Sequence, residues 1–180
     1  MGLDMYFYKK SYVSKEATIF VNGVLSETIK PKQIIQLVVE EVGYWRKFNA
    51  LHEWFVDNCG GGDDNCEPID VDIEQMQELL DTLKQVQTIL NNSEKITKVL
   101  KGWGDDEYTI EVYNCEDQVR KLFSPTEGFF FGSTEINTYY KEQVDYTVEL
   151  IENLLKEAEE TEESQRLYGN DAGFYYLASW

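Results

Sequence analysis

The sequence holds one histidine, three cysteines and only 16 basic residues against 34 acidic ones. It also has no apolar run approaching the roughly 18 residues that a membrane span requires. Each shortage excludes something. Without such a run, no membrane-spanning helix is expected. The cysteines Cys59, Cys66 and Cys115 are odd in number. The opening Met1-Gly2-Leu3-Asp4-Met5 has neither the basic stretch nor the apolar core of a secretory signal. Reduced thiols in a cytoplasm are therefore expected rather than a disulfide framework. Gly2 raises the question of N-myristoylation, but Tyr6 stands where that motif wants Ser or Thr. The Cys59 to Cys66 spacing does not suit a common zinc knuckle and no second pair follows. Asp63-Asp64 beside it reads as a flexible acidic loop, so no metal is expected. Gly60-Gly61-Gly62 lacks the Lys-Ser or Lys-Thr of a phosphate-binding loop. No nucleophile elbow, His-Glu-x-x-His motif or dinucleotide fingerprint occurs, so no catalytic residue is placed and no cofactor is implied.

The shortage of basic residues leaves a net charge of −18. Such a field repels phosphates, so direct contact with nucleic acid is not expected. It keeps a protein soluble, and it also suits a basic partner. From Lys141 to Glu163 nine acidic residues accompany two basic ones. That face is either a solvated helix surface or an imitation of duplex phosphates.

What is present suffices for a core. With 180 residues, 42% of them apolar and 14% aromatic, the chain reads as one globular domain, 1–180. Leu3, Met5 and Phe7 alternate with Asp4, Tyr6 and Tyr8, which predicts a half-buried strand from Leu3 to Lys9. Asn22-Gly23 between Thr18–Val21 and Val24–Thr28 is a hairpin signal. Pro31 opens a helix expected to reach about Asp57, and a loop follows from Asn58 to Pro68. A second helix spans about Asp72 to Asn91, with Met76, Leu79, Leu83, Val86 and Leu90 on its apolar side. Ser93 is expected to cap a short helical continuation through Leu100, ended by Gly102-Trp103-Gly104. Tyr108–Tyr113 reads as a strand and Asp117–Phe123 as a turn or two of helix. Phe129–Phe131 reads as a short buried strand. Ser133 or Thr134 is the natural cap of a long helix from about Glu135 to Glu160. Phe174–Trp180 reads as a terminal strand in the same sheet as the first. The fold class is α+β: a small antiparallel sheet of the two terminal strands, the hairpin and Phe129–Phe131, packed by about three main helices.

One segment combines fold and chemistry. Ile35, Val38, Val42, Trp45, Asn49, His52 and Val56 step by three and four, as one stripe of a helix would. Asn49 and His52 interrupt that stripe where the core should continue. Burying them costs a few kcal/mol each unless they find partners. Arg46 and Lys47 lie beside them. One reading is a polar pocket floored by aromatics. Arg46 would supply a fork of donors to phosphate or carboxylate. Asn49 would read an edge, and His52 would donate, accept or move a proton. Tyr44, Trp45 or Trp54 would stack on a planar group. The other reading is a structural network that satisfies Asn49 and His52 internally. Gly132-Ser133-Thr134, at an expected strand-to-helix junction, would add free amides for an anion if it meets Arg46 and His52 in space.

The same residues carry a resemblance. The start Met1-Gly2-Leu3-Asp4-Met5-Tyr6, the block Tyr44-Trp45-Arg46-Lys47-x-Asn49-x-x-His52-x-Trp54-Phe55, the segment Gly128-Phe129-Phe130-Phe131-Gly132-Ser133 and the aromatic end Tyr175–Trp180 are similar to a family found mainly in bacteriophage and bacterial genomes. That family brings no established activity with it. The resemblance implies a phage or prophage origin and a role in manipulating a host. The first functional expectation is a protein that holds a small phosphorylated or nucleotide-like ligand, sequestering a nucleotide-derived immune signal of the host. An acidic protein that blocks a basic host protein is the alternative. An enzyme using His52 as general acid or base is the third. A homo-oligomer stays open.

Overall fold

In the computed structural model, which describes residues 2–12, 18–21, 24–28, 37–101, 107–165 and 173–180, the elements run in the order β1 (Asp4–Tyr12), β2 (Thr18–Val21), β3 (Val24–Thr28), β4 (Leu37–Arg46), α1 (Asn49–Asn58), β5 (Ile69–Val71), α2 (Ile73–Asn91), β6 (Lys95–Lys101), β7 (Glu107–Tyr113), α3 (Glu116–Leu122), α4 (Thr138–Gln165) and β8 (Gly173–Ser179). β1 is central. It pairs antiparallel with β4 on one side and β8 on the other, and β5 adds to β8, so the sheet order is β4-β1-β8-β5. The alternation expected from the sequence holds: Leu3, Met5 and Phe7 are fully buried. Tyr6 and Tyr8 take the other, partly exposed face. The two terminal segments thus share one sheet, as expected.

Helices cover the buried face of this sheet, giving the expected α+β fold. Phe7 stacks on Phe174 (5.6 Å between centroids, 8° apart) and on Phe55 (5.7 Å), and Phe55 stacks on Tyr176 (4.3 Å). Aromatic contacts of this kind contribute about 0.5–1.5 kcal/mol each beyond the area that they bury. α4 lays Tyr140, Val144, Val148, Ile151 and Leu155 into the same core, at helical spacing. A Cβ at Gly43 would stand 2.6 Å from Leu150 Cδ2, so the missing side chain lets α4 pack onto β4. α2 begins where the sequence predicts. Asp72 accepts from the Gln75 amide (2.7 Å) while the Gln75 side chain accepts from the Asp72 amide (2.9 Å), which satisfies two helix-end donors reciprocally.

Four expectations are corrected. The helix to Asp57 is instead β4 followed by α1. The register slips between Phe7 and Tyr8 opposite Val42, a bulge that resets which side chains face inward and so disguises a strand as a helical stripe. Where Pro31 would start the helix lies outside the described residues. Ser93 does not cap a helix: Lys95–Lys101 is a strand paired with β7, in keeping with β-branched Ile96, Thr97 and Val99. Phe129–Phe131 is a turn closed by Phe131 N–H on Gly128 O (3.1 Å), and Phe129 is 95% exposed rather than buried. The long helix starts at Thr138, and its cap is Asn137, whose side chain accepts from the Tyr140 amide (3.0 Å). β2 and β3 form the expected hairpin, but among the described residues they pair with each other and not with the four-stranded sheet, and their Asn22-Gly23 turn lies outside the described residues, as do Gly102, Trp103 and Gly104.

The β6–β7 hairpin is tied down by Lys98, which donates to Glu135 (2.7 Å) and Glu116 (3.1 Å), while Arg120 also binds Glu116. Burial alone would raise the Glu116 carboxyl, but these cations outweigh it and hold it below its ordinary 4.5. A carboxyl lowered on folding adds stability above its unfolded value and loses it as pH falls through the folded one. Lys98→Met should therefore be less stable than the parent at pH 7 by under about 1 kcal/mol, the groups being partly solvated. The difference in urea midpoint should shrink as pH falls below 4.5. In the same assay Asp72→Ala should lose about 1 kcal/mol with unchanged denaturant slope.

Candidate functional site

β4 ends at Arg46, and the chain reverses within two residues. Lys47 takes a φ of 60° and Phe48 stands at the helix cap, so α1 starts with Asn49 already turned inward. Asn49 is 2% exposed and His52 1%. Asn49 Nδ2 donates to Phe131 O and Ser133 O (3.0 Å each), and its Oδ1 accepts from the Thr126 amide (3.3 Å). His52 Nε2 meets Asp64 Oδ2 at 3.1 Å and Nδ1 meets the Tyr176 hydroxyl at 2.8 Å. The carboxylate is an acceptor, so Nε2 carries a proton toward Asp64, and in the neutral ring Tyr176 donates to Nδ1. Burial, with Asp64 and Cys66 nearby, pushes the Tyr176 phenol well above its ordinary range, which keeps that hydroxyl a donor. Trp180 Nε1 donates to the other Asp64 oxygen (3.2 Å), and Phe131 packs edge-on against both His52 and Trp180. Among the described residues, no buried side-chain nitrogen or oxygen lacks a partner. The structural reading of Asn49 and His52 is the one their geometry favours.

The ten residues singled out from the sequence separate into three places. Trp45 joins Asn49 and His52 in the interior, 1% exposed, with its indole donating to Thr147 (2.9 Å). Trp54 lies half-buried on another face of α1, in an open groove. Arg46, Lys47, Tyr44, Gly132 and Ser133 remain at the surface, with half-buried Thr134 next to them in the chain. Gly132 does meet this group. It holds a φ of 90°, and a Cβ there would stand 2.9 Å from Lys47 Cβ. Both strain and space therefore require glycine. Gly2 marks where the two cations converge: a Cβ on it would stand 3.0 Å from Lys47 Cε and 3.5 Å from Arg46 Nη2. Among the described residues, the carboxylate oxygen that contacts Arg46 is Asp4 Oδ1, at a long 3.8 Å. The Lys47 ammonium has no hydrogen-bond or ion-pair partner among the described residues, although its backbone amide donates to Leu3 O (2.7 Å). Tyr44 bonds to Asp4, and the Tyr139 hydroxyl bonds to the Arg46 carbonyl.

The helix-end part of the expectation fails. α4 begins at Thr138, so Gly132, Ser133 and Thr134 precede the helix rather than supplying its end amides; there the Ser133 hydroxyl accepts from the Glu135 amide (3.1 Å) and the Thr134 carbonyl accepts from Arg120 (2.6 Å). Sequence reasoning missed Asp64, Tyr176 and Trp180 as His52's network, and it missed exposed Phe129. An apolar triplet carries no local sign that one ring will face water. No protein-family description matches the chain, and comparison with curated proteins and with solved structures finds no match. Among the described residues, no cluster of His, Cys, Asp and Glu could hold a metal ion, and no helix is long and apolar enough to cross a membrane.

Asn49→Ala would strand two carbonyls and one amide. It should cost about 2–4 kcal/mol in urea unfolding, since each unmet buried group costs about 1–3 kcal/mol. Thiol labelling provides a second check. Cys66 is exposed, Cys115 is buried, and burial beside Asp72 and Glu78 pushes the Cys59 thiol up to about 12. At pH 8, iodoacetamide should modify Cys66 first, with Cys59 and Cys115 reacting only after denaturation. Mass mapping of the labelled peptides reads the order.

Proposed function

We propose that the protein binds a small anionic, nucleotide-like ligand at Arg46 and Lys47, as a sponge that takes up such a ligand without converting it. The observation that carries this reading is the convergence of two exposed cations over Gly2, offset among the described residues only by a long contact from Asp4, in a chain of net charge −18. Two like charges held together repel. An anion seated between them is stabilised by both, most strongly by the forked donors of Arg46. Exposed rings surround the patch for a planar group: Tyr44 and Tyr139 touch it through Asp4 and the Arg46 backbone, and Phe129 projects from the loop that Lys47 and Asn49 hold. The site is thus a surface patch rather than the pocket around His52 expected from the sequence. Both nitrogens of His52 are engaged inside the protein, which favours binding over proton transfer. The resemblance to phage proteins adds that the ligand would be a nucleotide-derived immune signal of the host.

The test is to incubate the purified protein with a host-cell nucleotide extract, release bound molecules by heat, and identify them by mass spectrometry. An intact nucleotide should be retained by the parent and lost from Arg46→Ala and Lys47→Ala, both of which should stay folded because these side chains are exposed. Each loss should weaken binding about tenfold or more, as expected for a charge-assisted hydrogen bond. A converted product would replace the sponge by an enzyme. Retention equal in the parent and both variants would move the ligand off this patch.

A further inference from the structure

A groove lies between α1 and α3 and shares no residue with the Arg46–Lys47 patch. Glu53, Trp54 and Asp57 repeat at helical spacing along one face of α1. In an isolated helix that face would be a solvated stripe. Here it forms one wall of a groove of about 410 Å³, faced by Arg120, Lys121 and Phe123 from the end of α3. The volume falls within the roughly 300–1,000 Å³ of small-molecule sites. The two walls differ in sign. The side chains of Glu53 and Asp57 have no hydrogen-bond or ion-pair partner among the described residues, and neither has that of Lys121. Arg120 is held in place by Glu116 (2.8 Å) and by the Thr134 carbonyl (2.6 Å), so it stiffens the basic wall rather than serving as a free donor. Two unpaired carboxylates thus face an unpaired ammonium across the groove. Trp54 and Phe123 supply the apolar floor.

We propose that this groove takes a small zwitterionic ligand of the amino acid or short-peptide class. Its ammonium would sit by Glu53 and Asp57, its carboxylate by Lys121, and its side chain against Trp54 and Phe123. A ligand of one sign would satisfy one wall and be repelled by the other, whereas a dipolar one satisfies both. An ammonium near Trp54 also gains from the indole face.

The full chain, labelled with ¹⁵N, is titrated with the dipeptide Ala-Phe, with its N-acetyl and C-amide forms, and with a mixture of the twenty standard amino acids. The free dipeptide or the mixture should shift the amide signals of Glu53–Asn58 and Lys121–Thr126. Each blocking group should weaken Ala-Phe binding about tenfold, the loss of one charged contact. In Lys121→Met, amidation should bring no further loss, and in Glu53→Gln acetylation should bring a smaller loss than in the parent. Both replaced side chains lie off the core, so urea midpoints should match the parent. Absence of groove shifts with all probes would overturn the proposal. So would equal binding of free and blocked dipeptide, or shifts confined to Arg46 and Lys47.

Discussion

Asn49 and His52 are polar side chains almost entirely removed from water, and the need to satisfy them organises everything around α1. Each unmet donor or acceptor would cost about 1–3 kcal/mol, a large share of a typical domain's total stability. Asn49 meets this by gathering the Thr126 amide and the carbonyls of Phe131 and Ser133. His52 meets it through Asp64 in the loop after α1 and Tyr176 in β8, and Asp64 in turn holds Trp180. One short helix thereby fastens two loops and the C-terminal strand.

The exposed features follow from that fastening. Because the 128–133 loop is held at both carbonyls and closed by Gly132 at a positive φ, Lys47 is pressed against it and Phe129 is left outside. Leu3 bonds to both sides of this junction, donating to Phe130 O (3.2 Å) and accepting from the Lys47 amide (2.7 Å). The neighbouring Gly2 is thus brought beneath the two cations. The buried polar groups are the support for the exposed surface around them.

Charge adds the second constraint. At −18 net, the protein repels anions at a distance, so an anionic ligand must be captured by short-range contacts. Several other cations are paired within the molecule, Lys98 and Arg120 with Glu116, Lys141 with Asp145 and Lys84 with Glu152, whereas among the described residues Arg46 has the long Asp4 contact and the Lys47 ammonium has none.

Local pattern was enough for elements whose residues answer to their own neighbours. The alternation of Leu3, Met5 and Phe7 determined β1. The Asp72–Gln75 capping box and the leucine stripe determined α2. The aromatic end determined β8, and together these made the α+β class legible. The same local logic failed at Val38, Val42 and Trp45, because a bulge opposite Phe7 and Tyr8 shifts strand parity until it imitates a helical stripe. It failed at Ser93–Leu100 because pairing with β7 prevailed over helix continuation. For the site, the sequence by itself determined that Asn49 and His52 needed partners and that Arg46 and Lys47 were exceptional cations in an acidic chain. Only the tertiary structure decided that the first pair is sealed and the second pair is exposed. The partners that seal Asn49 and His52 come from residues 64, 126, 131, 133 and 176, and contacts that distant leave no trace in local spacing.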